Sequence, residues 1–178
     1  MRMTRYQTES QNMIERVNER AFRELCLYLR HPVILIFWSV WVLNDHVFKE
    51  MFANELTGKL SDVASLAVFP LFPLACYELL FYQLNRERRH QKQVLYISLL
   101  ATGMVMVGIN TSPMWAYAYR WGLGLFQWPF LAIKDLFVLG ELRNLRPVQL
   151  TMDISDIYTL PALLLPWLVV RHGFRSES

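Results

Sequence analysis

Several polar side chains that could bind a cation lie beside apolar segments of this sequence. Asn44, Asp45 and His46 follow one apolar run, and Ser-Asp pairs stand at positions 61–62 and 155–156. Carboxylate oxygens and imidazole nitrogens are donor types of divalent-metal sites, and polar groups at membrane depth are costly and often functional. The candidate polar site consists of Asn44, Asp45, His46, Lys59, Asp62, Asp153 and Asp156. Its candidate metal ligands are His46, Asp62 and Asp156, and no catalytic residue is assigned.

The Ser-Asp pairs also have a structural explanation that requires no ligand. Ser and Asp at a helix start accept hydrogen bonds from free backbone N–H groups and favour the positive end of the helix dipole. Capping of this kind could account for both pairs, at positions 61–62 and 155–156. No metal-ligand motif of diagnostic spacing includes His46. The sequence therefore favours no cofactor, with a divalent metal as the alternative.

The polar motifs recur in a way that suggests an internal duplication. Residues 61–66 (SDVASL) resemble residues 155–160 (SDIYTL), and a proline-containing apolar run follows each. The apolar segments before them also end alike, with VWVLN at Asn44 and VMVGIN at Asn110. We therefore predict two related hairpins, each with an asparagine where its first helix leaves the membrane and Ser-Asp where its second helix enters.

The composition indicates a membrane protein. Of 178 residues, 54% are apolar and 19% are charged, and the mean hydropathy is +0.21; these values exclude a disordered or highly charged chain. Six Trp, eight Tyr and eleven Phe give the aromatic excess that membrane interfaces favour. The net charge is +3, but the basic residues lie beside apolar segments, where they set topology, so no nucleic-acid partner is predicted. The sequence has no motif of a nucleophile elbow, zinc protease, phosphate loop or dinucleotide-binding loop.

Four segments approach the roughly 20 apolar residues with which a helix crosses a bilayer core about 30 Å thick. We predict spans at residues 32–48, 63–84, 94–109 and 154–171. These spans would form the two hairpins of an all-α transmembrane bundle over residues 32–171, followed by a tail at residues 172–178.

Two further segments are predicted to lie at the membrane surface. Residues 1–31 are charged and contain apolar residues at helical spacing, which indicates an amphipathic helix on the inner leaflet, with a docking face for a partner as the alternative. Residues 113–140 are rich in aromatic side chains but contain Arg120, Lys134 and Asp135. For this stretch we predict an interfacial or re-entrant helix, with a fifth span as the alternative.

The distribution of Lys and Arg predicts the orientation of the chain. Six basic residues precede the first span and four lie in the loop NRERRHQKQ, whereas the loop before the second span contains two. The positive-inside rule places the N-terminus and the basic loop in the cytoplasm and the candidate polar site at the outer face. Cys26 and Cys76 are predicted to be free thiols at different levels of the structure.

Three stretches of the sequence carry a recognisable pattern: residues 43–72 (LNDHVFKEMFANELTGKLSDVASLAVFPLF), 124–129 (GLFQWP) and 152–166 (MDISDIYTLPALLLP). They resemble a family of small bacterial integral membrane proteins without an established activity. Its pattern reads L-N-D-H, then T-G-K-L-S-D, then D-x-[ST]-D-[LI]-x-x-L-P. The resemblance implies a multi-pass protein of the bacterial inner (cytoplasmic) membrane and supports the choice of site residues, without supplying chemistry.

Two functions of different classes fit these features. The first is a non-enzymatic structural, accessory or transport-related component, in which a polar cluster at the outer face holds the hairpins together. The second is a membrane-embedded site that binds a metal ion or a lipid headgroup, with hydrolysis as a further activity. Helix capping accounts for the Ser-Asp motifs, so the first is favoured. The lipid bilayer is the predicted partner, and a homo-oligomer or a membrane partner subunit would extend the limited surface of four short spans.

Overall fold

The computed structural model describes residues 26–52, 55–84, 90–140, 142 and 144–175. Every regular element within these residues is helical, which confirms the all-α prediction. Of the predicted N-terminal amphipathic helix, only the end is included, where Leu27–Arg30 forms a 3-10 turn. The remainder of that predicted helix, and the end of the predicted tail, lie outside the described residues.

The first apolar segment forms a short helix. Helix α1, Pro32–Leu43, begins with a proline, whose missing N–H is not needed in a first turn. The His31 Nδ1 accepts a hydrogen bond from the Val33 N–H at 3.3 Å. A π-helical turn, Asn44–Phe48, and a single α-helical turn, Lys49–Phe52, follow. The predicted first span is therefore a 12-residue α-helix with a wider helical continuation.

The second predicted span consists of two helices, α2 (Glu55–Val68) and α3 (Leu71–Gln83). They are separated at Pro70, and neither Pro70 nor Pro73 can donate a backbone hydrogen bond. The Pro70 carbonyl oxygen accepts a hydrogen bond from the buried hydroxyl of Ser98 at 2.7 Å. A neighbouring helix thus satisfies a carbonyl at the break, as a buried polar group requires.

The remaining helices follow in the predicted order. Helix α4 is Gln91–Thr111, and helix α5 is Pro113–Leu139, which is continuous through Pro129. An extended segment then leads into a 3-10 segment, Ile154–Leu163, and helix α6, Leu164–Arg175. For α5, the choice between an interfacial or re-entrant helix and a fifth span stays a prediction.

Three helical stretches are long and apolar enough to cross a membrane: Glu55–Gln83, Gln91–Thr111 and Ile154–His172. They overlap the predicted second, third and last spans, but the first of them begins at Glu55, before the predicted start at residue 63. Helix α1 is apolar but shorter. The membrane-protein prediction is supported at this level, and the count of four spans stays a prediction.

The chain divides into two compact units, residues 1–100 with 161–178, and residues 101–160. The first unit has an apolar core to which α1, α3, α4 and α6 contribute. Its buried members are Ile34, Leu71, Leu74, Leu95, Val169 and Val170. Segments far apart in the sequence therefore share one core.

In the second unit, an extended segment runs back along α5. The Val148 N–H donates to the Arg120 carbonyl oxygen at 3.0 Å, and the Arg120 Nε–H donates to the Val148 carbonyl oxygen at 3.0 Å. One helical turn further on, a Cβ at Gly124 would lie 2.5 Å from the Arg146 carbonyl oxygen. Glycine therefore permits the close approach of two backbones that a side chain would prevent.

Candidate functional site

Asn44 lies at the end of α1 and is fully buried, with 0% of its surface exposed. Its Nδ2 donates to the Thr57 carbonyl oxygen in the first turn of α2 at 2.7 Å. Its Oδ1 is buried and has no hydrogen-bond partner among the described residues. The side chain therefore joins the two helices of the first hairpin and retains one unused acceptor.

Asn110 holds the matching position near the end of α4 and is 3% exposed. Its Oδ1 accepts a hydrogen bond from the Asp153 N–H at 3.0 Å, and its Nδ2 donates to the Met106 carbonyl oxygen at 3.1 Å. The side chain thus binds the chain immediately before the 3-10 segment. In each predicted hairpin, an asparagine at the end of an apolar helix forms a hydrogen bond with a backbone group of a later polar segment.

Each Ser-Asp motif contains the same internal hydrogen bond, from a hydroxyl to the carbonyl oxygen of the aspartate. The Ser65 hydroxyl donates to the Asp62 carbonyl oxygen at 2.9 Å, and the Thr159 hydroxyl donates to the Asp156 carbonyl oxygen at 2.6 Å. Ser65 and Thr159 occupy equivalent positions in the two six-residue motifs. Short hydroxyl side chains compete in this way for local carbonyl groups.

The capping interpretation is wrong for the pair at positions 61–62, because both residues lie inside α2, which begins at Glu55. The second motif is capped by a residue upstream of the predicted one. The Asp153 Oδ1 accepts from the Ser155 N–H at 2.8 Å, and the Asp153 carbonyl oxygen accepts from the Asp156 N–H at 3.0 Å. A carboxylate oxygen that accepts from the N–H two residues later is the geometry of an N-cap.

The described candidate residues fall into two groups. Lys59 and Asp62 lie on α2 in the first unit, and both are half-buried. Asp153 and Asp156 lie at the start of the 3-10 segment in the second unit, and they are also half-buried. The Asn110–Asp153 pair is brought together by a direct hydrogen bond. The convergence of Asp62 with Asp156 stays a prediction.

Asp45 and His46 lie in the π-helical turn after α1, and their side chains are outside the described part of the structure. Among the side chains that are described, no group of three His, Cys, Asp or Glu residues could hold a metal ion. The candidate ligand set of His46, Asp62 and Asp156 therefore stays a prediction.

A buried carboxylate that sequence analysis missed lies in α3. Glu78 is 3% exposed; its Oε2 accepts from the Cys26 N–H at 2.9 Å and its Oε1 accepts from the Gln91 Nε2–H at 3.1 Å. The carboxylate thereby joins the chain before α1, helix α3 and the start of α4. Its signal in the sequence is that it is the one charged residue in the apolar run 63–84, where an ionisable side chain is costly.

The cysteine prediction is wrong in one respect. Cys26 and Cys76 are not joined in a disulfide, but they are not at different levels. The Cys26 Sγ lies 4.0 Å from the Ala75 carbonyl oxygen, and its N–H binds Glu78 one helical turn away. Cys26 has a left-handed backbone, with φ of 55°, which a non-glycine residue adopts only where its surroundings hold it.

Burial raises the pKa of the Tyr28 hydroxyl far above its usual range, and the nearby Glu78 carboxylate raises it further. A tyrosine in the unfolded chain ionises near pH 10. In the folded state Tyr28 therefore keeps its proton at a pH where the unfolded state releases it. The contribution of Tyr28 to the free energy of unfolding is unchanged below about pH 10 and falls as the pH rises above that value.

We expect Tyr28→Phe to reduce this alkaline loss of stability. The measurement is the midpoint of denaturant-induced unfolding in detergent at pH 8 and at pH 11, with exposed Tyr158 (85% exposed) changed to Phe as the matched control. The midpoint of Tyr28→Phe should fall less between the two pH values than that of wild type or the control. An equal fall in all three proteins would contradict the assignment to Tyr28.

The described polar side chains are suited to fixing backbone positions, since Asn44, Asn110, Asp153 and Glu78 all bind backbone groups. Asn110, Asp153 and Glu78 accept from N–H groups at or just before helix starts, where an N–H has no intrahelical partner. Comparison of the chain with protein-family models, with curated proteins and with solved structures gives no match.

Proposed function

We propose that this chain is a small multi-pass protein of the bacterial inner membrane with a non-enzymatic role, as a structural, accessory or transport-related component. Its N-terminus lies in the cytoplasm, and its polar residues at the outer face hold the helical hairpins together. The hairpins are related by duplication. The lipid bilayer surrounds the bundle, and a second copy or a membrane subunit completes its limited surface.

The proposal rests on one observation: the side chains of the buried asparagines form hydrogen bonds from the end of one helix to the backbone of another segment. Asn44 binds the Thr57 carbonyl oxygen across 13 residues of sequence, and Asn110 binds the Asp153 N–H across 43 residues. The matched hydroxyl bonds of Ser65 and Thr159 add support for the duplication. Polar groups that form such hydrogen bonds stabilise an arrangement of helices, and fewer of their atoms are then available to bind a ligand or to take part in catalysis.

The membrane assignment is supported by three helices of sufficient length and apolar character. Large apolar side chains on α4 face outward, with Ile97 67% exposed, Leu100 65% and Met104 58%. In water such a surface would be costly, whereas lipid chains would cover it. The bacterial inner membrane and the orientation are supported by the resemblance and by the basic loop.

A second candidate function is a membrane-embedded site for a metal ion or a lipid headgroup. The observation that favours it is the buried Asn44 Oδ1, which has no partner among the described residues. An unused oxygen in a buried setting costs free energy unless a donor or cation meets it. The sequence places Asp45 and His46 directly after it.

Asp62→Asn and Asp156→Asn, made separately in the full chain, test the two functions. A structural role of these carboxylates predicts that each variant has a lower Tm and a lower abundance in the membrane than the wild-type protein. The measurements are Tm in detergent, membrane abundance and bound metal by elemental analysis. Glu55→Gln, which changes an exposed carboxylate in the first turn of α2, is the matched control; it should leave abundance and bound metal unchanged and lower Tm only slightly, through the helix dipole.

A different result would favour the second function. If Asp62→Asn keeps its Tm and abundance but loses a metal that the wild-type protein carries, the structural role is contradicted. A fall in Tm and abundance with no change in metal content supports it.

A further inference from the structure

A cavity of about 160 Å³ lies between α5 and the extended segment that runs back along it. This volume is well above the roughly 30 Å³ that one water molecule occupies in the liquid, so the space admits a small polar group. Both walls belong to the second unit. The lining residues are Gly124, Gln127, Trp128 and Leu131 from the helix, and Asn144, Arg146, Pro147 and Val148 from the segment.

The polar part of this lining is rich in hydrogen-bond donors. Arg146 supplies a permanent positive charge and a planar fork of N–H groups that matches two phosphate oxygens. Gln127 and Asn144 add amide N–H groups. The described lining contains no carboxylate. Its charge therefore favours an anion.

The walls of the cavity are fixed by contacts outside the proposed ligand position. The paired bonds between Arg120 and Val148 hold one end of the segment on the helix. The close passage over Gly124 holds the backbone at Arg146 beside the helix. These contacts fix the backbone of both walls, so the positions from which the donor side chains extend are set before a ligand arrives, which reduces the entropy that binding costs.

The opposite face of α5 indicates contact with lipid. Phe126, Phe130 and Phe137 recur at spacings of four and seven residues and are 70%, 69% and 85% exposed. The rings of Phe126 and Phe130 lie 6.2 Å apart. A face of large apolar side chains such as phenylalanine fits a helix that lies in the interfacial layer of a bilayer, where phosphate groups are abundant.

We propose that this cavity binds a phosphate group through Arg146, Gln127 and Asn144. The group belongs either to the headgroup of an anionic lipid or to inorganic phosphate, since the two present the same oxygens to the same donors. The site is separate from the candidate polar site and does not depend on the proposed function.

Calorimetric titration of the full chain in dodecyl maltoside tests the proposal. One arm uses dihexanoyl phosphatidylglycerol, and the other uses sodium phosphate at matched ionic strength. We expect saturable binding, weakened at least tenfold by Arg146→Gln, because the guanidinium bonds to phosphate are charge-assisted. Lys134→Gln removes the same charge from exposed α5 surface outside the lining and should change the affinity less than twofold.

The two arms identify the source of the phosphate. Saturation by the lipid alone assigns a headgroup site, and saturation by both assigns a site for the phosphate group itself. If neither saturates, or if Arg146→Gln and Lys134→Gln behave alike, the proposal is overturned. If Arg146→Gln fails to fold, by circular dichroism and gel filtration, Gln127→Leu takes its place and should weaken saturable binding at least threefold; unchanged affinity would overturn the proposal.

Discussion

Replacing Glu78 with leucine is expected to lower the free energy of unfolding by about 3 kcal/mol. The carboxylate accepts two hydrogen bonds, from the Cys26 N–H and from the Gln91 side chain, and it is 3% exposed. Leucine accepts neither bond, so a backbone N–H and a side-chain amide lose a partner in a partly buried setting. The measurement is reversible unfolding in mixed detergent micelles, followed by circular dichroism.

Glu78→Gln is the matched control because its amide keeps one acceptor oxygen. It should recover about half of the loss, since one of the two donors would still face an oxygen. A leucine variant as stable as wild type would show that the carboxylate contributes nothing to holding the segment before α1. A glutamine variant less stable than the leucine variant would contradict the hydrogen-bond explanation.

The two buried asparagines are expected to differ in their contributions to stability. Asn110→Leu removes the acceptor of the Asp153 N–H and should cost about 2 kcal/mol, because a backbone N–H is left unpaired. Asn44→Leu removes a bond to the Thr57 carbonyl oxygen but also removes an Oδ1 that has no described partner. Its cost should therefore be smaller, at about 1 kcal/mol or less.

Both asparagine variants are measured by the same mixed-micelle unfolding assay. Each change replaces a buried amide by an apolar group of similar length, so the comparison isolates the hydrogen bonds. If Asn44→Leu costs as much as Asn110→Leu, the Asn44 Oδ1 has a partner beyond the described residues.

The sequence predicted those features that depend on local pattern. Apolar runs of sufficient length identified the helices Glu55–Gln83, Gln91–Thr111 and Ile154–His172 as candidate spans. The matched endings at Asn44 and Asn110 identified two side chains that are buried and hydrogen-bonded. Hydrophobic length and helix-end chemistry act over a few residues, and a single sequence contains that information.

Features that depend on distant partners could not be predicted in this way. Glu78 binds a backbone N–H that lies 52 residues earlier in the chain, and Arg120 binds a carbonyl 28 residues later. The start of α2 at Glu55 also differs from the prediction, because polar residues near position 60 suggest a helix end. In the structure, Thr57 and Ser61 are both 8% exposed, so tertiary burial extends the helix through them.

The division of the longest candidate span at Pro70 has a consequence for the lipid environment that suits this protein. Residues Glu55–Gln83 number 29, about 44 Å of straight helix at about 1.5 Å per residue, against a hydrocarbon layer of about 30 Å. A rigid rod of that length could adjust to a thinner bilayer by tilting as a whole. The helices α2 and α3, which meet at Pro70, can adjust by changing the angle between their axes. The hydrogen bond from Ser98 to the Pro70 carbonyl oxygen couples that angle to α4.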